Sequence, residues 1–140
     1  MPRFVAATVD RVPAPRSLDD YRGQPLLINV WATWCAPCRI EMPSLEVLHQ
    51  AYKGRGLRVI AISIDDANQD PLIREFVREQ RLTFDILHDA SAAVMEQLKA
   101  EGLPQSYLVS RSGHIVASRS AADWRSAASR ALVDSLLRVE

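Results

Sequence analysis

The chain has 140 residues, 48% of them hydrophobic, with 17 basic side chains against 17 acidic ones. That is enough apolar material for one core, and the balanced charge argues against nucleic acid, an anionic membrane surface or a strongly acidic substrate as partner. No run reaches the ~18 apolar residues needed to cross a bilayer, and Met1-Pro2-Arg3-Phe4 is not followed by a signal-peptide apolar stretch; the chain reads as soluble, either cytosolic or the soluble part of an exported or anchored protein.

In chain order, residues 1–17 are a lead-in, of which 10–17, holding Pro13 and Pro15, read as irregular. Residues 26–30, after Gly23 and Pro25, form a short apolar run, and 57–64 a longer β-branched one; both suit central strands of a covered sheet. Between them, residues 38–52 set Ile40, Leu45, Leu48 and Tyr52 at helical spacing and stop at Lys53-Gly54, which completes a βαβ unit. Asp70-Pro71 has the form of an N-cap with a first-turn proline, and Leu72, Ile73, Phe76 and Val77 give that helix its apolar face. A strand at 84–87 follows, then a third helix at 91–99 with Val94, Met95 and Leu98 inward, ended near Gly102. Strands at 106–109 and 115–118 flank Arg111-Ser112-Gly113, a hairpin signal that makes them antiparallel. Residues 123–138 close the chain as a helix with Trp124, Ala128, Leu132 and Leu136 inward. The order is βαβαβαββα after an N-terminal extension, an α/β chain forming a single domain over 1–140.

The two cysteines lie three positions apart, as Cys35-Ala36-Pro37-Cys38, where the 26–30 strand hands over to a helix. Unpaired N–H groups at a helix start favour a thiolate, and thiols in such motifs titrate below the ~8.5 of free cysteine. Cys35 is therefore the expected nucleophile, and Cys38, one turn along and facing the protein body, the resolving thiol. Pro37 fixes φ in the first turn and holds the two sulfurs within bonding reach. A purely structural disulfide closing so short a loop would remove little unfolded-state entropy. Zinc would need two more ligands, and His49, His88 and His114 show no ligand spacing. Haem attachment fails because Arg39, not histidine, follows Cys38.

The run Trp31-Ala32-Thr33-Trp34-Cys35-Ala36-Pro37-Cys38-Arg39, followed by Glu41-Met42-Pro43 and Leu45, resembles the active-site block of the TlpA/ResA branch of the thioredoxin superfamily. Leu18, Tyr21-Arg22-Gly23 and Pro25 are similar to that branch's lead-in, and Gly102-Leu103-Pro104 with Tyr107-Leu108-Val109 to its second active-site segment, so the likeness runs from about residue 16 to 118. It implies a thioredoxin-like fold, a central mixed sheet flanked by helices, and thiol-disulfide exchange. It also implies that Pro104 is cis against the cysteine pair, that the Leu103 backbone pairs with an extended substrate, and that Trp34 and Pro37 belong to the docking surface. From the residues alone, an X-Pro before a strand is ordinarily trans. Gln105-Ser106 and Ser110 stand where threonines and an aspartate are common in the family, which bears on partner choice.

Asn29 occupies the place, six positions before Cys35, where thioredoxins proper keep a buried aspartate, and an amide cannot accept the proton of Cys38. Asp66 aligns with an acidic residue behind the cysteine pair in ResA-like members and is the expected base, its pKa raised in an apolar pocket. As a bare sequence position it reads equally as a solvated loop acid or a helix-start acid beside Asp65. Trp31 is expected in the core, Arg39 near the sulfurs or solvated, and Pro43 as a kink; the histidines receive no chemistry.

The resemblance implies protein thiols and disulfides as substrates, an upstream dithiol protein as electron donor, no cofactor and a monomer. It further implies a reductant of the periplasm or cell envelope acting in cytochrome c or oxidase assembly, with a cytoplasmic place left open. The Ala36-Pro37 pair offers the thiolate no side-chain donor, which points to a low potential. Two other readings stay open. A peroxidase on this fold is one, although Thr33 lies two rather than three positions before Cys35. A copper-delivery module is the other, although those carry cysteines one residue further apart and use a histidine.

Overall fold

The computed structural model describes residues 5–8 and 15–139. Its strands are β1 (Val5–Thr8), β2 (Pro15–Ser17), β3 (Leu26–Trp31), β4 (Arg58–Ser63), β5 (Asp85–His88), β6 (Gln105–Val109) and β7 (Ile115–Arg119), and its helices α1 (Ala36–Tyr52), α2 (Asp70–Glu79), α3 (Ala93–Gln97) and α4 (Ala127–Leu137). All form one sheet in the order β2-β1-β5-β4-β3-β6-β7. β3 pairs parallel with β4 and β4 with β5, while β6 runs antiparallel to β3 and β7 antiparallel to β6. The mixed sheet and the closing hairpin are as expected from the sequence. In the hairpin, Gly113 takes φ +88°, a conformation that strains residues with a Cβ.

Alternation along the strands divides the interior in two. Leu27, Val59, Ala61, Ile86 and Leu108 meet α1, α2 and α4, whereas Ile28, Val30, Ile60, Ile62 and Leu87 meet Val94 and Leu98 on the other side. Both crossovers, β3 to β4 and β4 to β5, step the same way, and a fixed crossover hand sets α1 and α2 on one face. The parallel strands are covered on both faces, which is why β3 and β4 read as mainly apolar runs without alternation, broken within β3 only by Asn29.

Several expectations need correction. Of residues 10–17, expected to be irregular, 10–14 lie outside the described residues, whereas Pro15–Ser17 is a strand, paired with β1, which itself pairs with β5. Edge strands tolerate a proline because its missing N–H need not face a neighbour. Ile40, expected inward, is 79% exposed, and α1 instead buries Cys38, Glu41, Met42, Ser44, Leu45, Leu48 and Tyr52. Leu72 and Ala128 are likewise exposed. α3 is shorter than expected because Ala92 and Lys99 adopt positive φ at its two ends. α4 begins later because the Ser126 side chain caps it, accepting the Ser129 N–H at 3.1 Å; buried Trp124 precedes the helix.

Replacing Leu45 with alanine should lower the unfolding free energy by about 2–5 kcal/mol, whereas Ile40→Ala should stay within about 0.5 kcal/mol of the wild type. Urea titrations of the two variants compare the faces of α1 directly; equal losses would contradict this packing.

Candidate active site

The carboxyl ends of β3 and β4 and the start of β6 meet at one edge of the sheet. Trp31 pairs with Ser63, and Val30 with Gln105, so the register sets Pro104 beside the end of β3. From there the chain turns: the Cys35 N–H donates to the Ala32 carbonyl at 3.2 Å, and α1 starts at the next residue. Cys35 is the N-cap of α1, with φ −95° and ψ 105°, and its Sγ accepts the Cys38 N–H at 3.3 Å. A sulfur thus takes the place that a serine or aspartate oxygen fills at other helix starts. Cys35 and Cys38 are joined in a disulfide; Cys35 is 7% exposed and Cys38 1%. An attacking group can reach Cys35 more readily than its partner.

Leu103–Pro104 is cis, as the resemblance implied. Pro104 is buried, and Leu103 packs half-buried on the core cluster that holds both cysteines. Trp34 is 65% exposed beside Cys35, and Pro37 is also exposed, so the groups expected at a docking surface are open to one. Trp31 lies wholly in the core. Arg39 is exposed with its guanidinium 5.8 Å from the centre of the Phe76 ring. α1 runs on through Pro43, whose missing N–H leaves the Arg39 carbonyl without its helical donor.

Asp66 does not sit in the apolar pocket expected of it. It is exposed, in the loop that leads into the short 3-10 turn Ala67–Gln69, and its side chain caps nothing. Among the described residues three other acids are buried, Asp65, Glu41 and Asp89, the last of which accepts the Val94 N–H in the first turn of α3. Asp65 accepts hydrogen bonds from Thr33 and Ser63. Glu41, 3% exposed on the turn of α1 after Cys38, accepts from Asn29 Nδ2 at 2.8 Å and from the Ala122 N–H at 2.7 Å. Asn29 Nδ2 also donates to Ser106 Oγ at 2.9 Å, so the amide ties α1 to β6 through β3. Burial pushes the Glu41 carboxyl above its ordinary range, an effect tempered by the Ala122 and Asn29 donors.

Residues 1–118 match the AhpC/TSA family. The chain belongs to that family. Among curated relatives, the thiol-disulfide oxidoreductase ResA of Oceanobacillus iheyensis is 35% identical over 98 residues, covering 70% of this chain and 50% of that protein. ResA of Geobacillus kaustophilus is 32% identical over 98 residues, covering 70% and 55%. The chain spans about half the length of the curated relatives it matches. Among solved structures, a protein assigned as thiol:disulfide interchange protein DsbE in Chlorobium tepidum superposes with a TM-score of 0.81 at 25% identity, over 97% of this chain and 92% of that one. The thioredoxin domain of a thiol-disulfide oxidoreductase from Bacteroides vulgatus gives 0.81 at 23% identity, over 96% and 94%. The thioredoxin-like fold and the likeness to TlpA/ResA-type proteins are both borne out.

On sequence alone Glu41 figures only within the motif that follows the cysteines and is given no role. The available signal was its spacing: three positions after Cys38 and four before Leu45, it falls on the inward stripe of α1. Because its folded value lies above the unfolded one, folding takes up a proton between them. That contribution to stability is complete below the unfolded value of about 4.3 and is lost as pH rises through the folded value. The wild type should therefore lose stability relative to Glu41→Gln as pH is raised from about 4 toward neutrality. Paired urea titrations measure this; a constant difference across that range would mean the carboxyl is not buried as described.

Proposed function

We propose that this chain, acting as one domain, is a thiol-disulfide oxidoreductase that reduces disulfides in partner proteins through Cys35 and Cys38. The observation that carries the reading is the bonded cysteine pair at the start of α1, with Cys35 as the cap and the more exposed residue of the two. In the reduced protein, the Cys35 thiolate is favoured by the helix N-terminus and attacks one sulfur of a partner disulfide. A mixed disulfide forms and the partner's other sulfur leaves as a thiolate, to be protonated. Cys38 then loses its proton and attacks Cys35 Sγ, forming the Cys35–Cys38 bond and releasing the partner's second thiolate. Two electrons pass to the partner, and an upstream dithiol protein restores the pair.

Glu41 is our choice for the group that takes the Cys38 proton, in place of Asp66. It lies one turn from Cys38, helical side chains lean toward the preceding turn, and a raised carboxyl pKa suits a base coupled to a thiol. Asn29 Oδ1 is buried without a partner, so turning this amide over gives the protonated Glu41 an acceptor. Leu103 and Pro104 form the groove wall, with Trp34 and Pro37 at its rim.

The finer reading is a reductant in the periplasm or cell envelope serving cytochrome c or oxidase assembly. The ResA relatives support it, as does the lack of a side-chain donor between the cysteines. A peroxidase is less well supported, since the Thr33 hydroxyl donates to Asp65 at 2.6 Å.

Cys38→Ser should arrest the cycle as a mixed disulfide on Cys35 that survives denaturing electrophoresis without reductant and is identified by mass spectrometry. Cys35→Ser should trap nothing. In the Glu41→Gln protein, resolution of the mixed disulfide at neutral pH should slow by about tenfold or more, while alkylation of Cys35 keeps its rate. Equal trapping by both serine variants, or rapid turnover of hydrogen peroxide by the wild type, would defeat the proposal.

A further inference from the structure

Asp65 is wholly buried at the end of β4, and the proposed exchange chemistry does not use it. Its two carboxylate oxygens accept the Thr33 N–H at 3.2 and 3.0 Å, Oδ1 accepts the Thr33 hydroxyl at 2.6 Å, and Oδ2 accepts the Ser63 hydroxyl. The Asp65 N–H donates back to Ser63 Oγ at 3.0 Å, and His88 Nε2 lies 2.8 Å from the Asp65 carbonyl oxygen. Behind it, His88 Nδ1 is 3.4 Å from Asp70, which pairs with Arg74. Among the described residues, no lysine or arginine pairs with Asp65. A buried carboxylate compensated only by neutral donors is an expensive way to brace a loop.

The loop it braces decides where the nucleophile sits. Thr33 is inside the turn closed by the Cys35 N–H on the Ala32 carbonyl, and the adjoining Ile64 N–H donates to the Trp31 carbonyl at 3.0 Å. Holding the Thr33 peptide by its N–H and its hydroxyl together fixes the turn that delivers Cys35 to the start of α1. It also aims the Thr33 N–H at Asp65, and sets the Asp65 carboxyl group on the backbone of a residue two positions before Cys35. The other charged groups near the turn are exposed Asp66 and Arg39, buried Glu41, the His88, Asp70 and Arg74 series, and buried Asp89, whose N–H donates to the Ser63 carbonyl at 2.8 Å and whose carboxylate accepts the Val94 N–H.

We propose that Asp65 is a positioning residue for Cys35 that also restrains ionisation of its thiol, so that the cysteine couple is more reducing than the helix start alone would make it. This rests on the exchange reading above. Helix N-terminus and carboxylate act in opposite senses: the first stabilises the thiolate, and with it the reduced protein, and the second withdraws part of that stabilisation.

Asp65→Asn keeps an acceptor for the Thr33 N–H and removes the charge. The pH midpoint for alkylation of Cys35 should fall by about half a unit or more, and equilibrium with a reference dithiol couple should move about threefold toward the reduced protein. Thr33→Val keeps the charge and removes one donor that partly neutralises it, so its midpoint should rise. A role limited to bracing the loop would lower the melting temperature of both variants and leave midpoint and equilibrium alone, or shift both variants the same way; either result overturns the proposal. If Asp65→Asn does not fold, Thr33→Val carries the test, and an unmoved midpoint refutes it. The wild type separates the two levels: a wild type without reactive Cys35 sinks the exchange reading, whereas an active wild type with unresponsive variants sinks only the role of Asp65.

Discussion

An α-helix leaves its first N–H groups without partners inside the helix, and something outside must accept them. At the start of α1 a sulfur accepts from Cys38, and much of the site follows from that substitution. The cap must be extended, so the chain needs a turn between the end of β3 and Cys35. That turn needs its own anchor, and the adjacent end of β4 supplies one. A parallel pair of strands ending together is what makes the anchor available at the right height.

Two carboxylates lie under this edge, and their environments differ. Asp65 is surrounded by hydroxyl and amide donors directed at it, whereas Glu41 has two donors and is dominated by the loss of water. One acts on the geometry and field around the outer sulfur, the other on the proton of the inner one. Asn29 links the second of these to β6 just beyond the cis proline, so the proton site and the groove wall share a connection.

The sequence announced what depends on period and punctuation: the covered strands, the cysteine junction, the hairpin around Gly113 and the crossover helices. It was misleading where a residue's polarity conflicts with its position. Ile40 was expected inside α1, yet it faces solvent while its neighbour Glu41 is buried, because helical phase follows the apolar majority and ignores single exceptions. Of the adjacent pair Asp65 and Asp66, alignment with relatives favoured the second, yet the chain leaving β4 turns the first inward. The edge pairing of β1 and β2 had no comparable signal, because strands of three or four residues carry too little alternation to stand out.

The disulfide belongs to only one of the two apolar clusters. The cluster built on Ile28, Ile60, Val94 and Leu98 contains neither cysteine, and Leu103 and Ile64 are half-buried residues that touch both. Variation on the α3 side can therefore reshape how such a domain is tethered or neighboured while the chemistry on the far side is inherited intact. Leu103 and Ile64 are where that freedom stops.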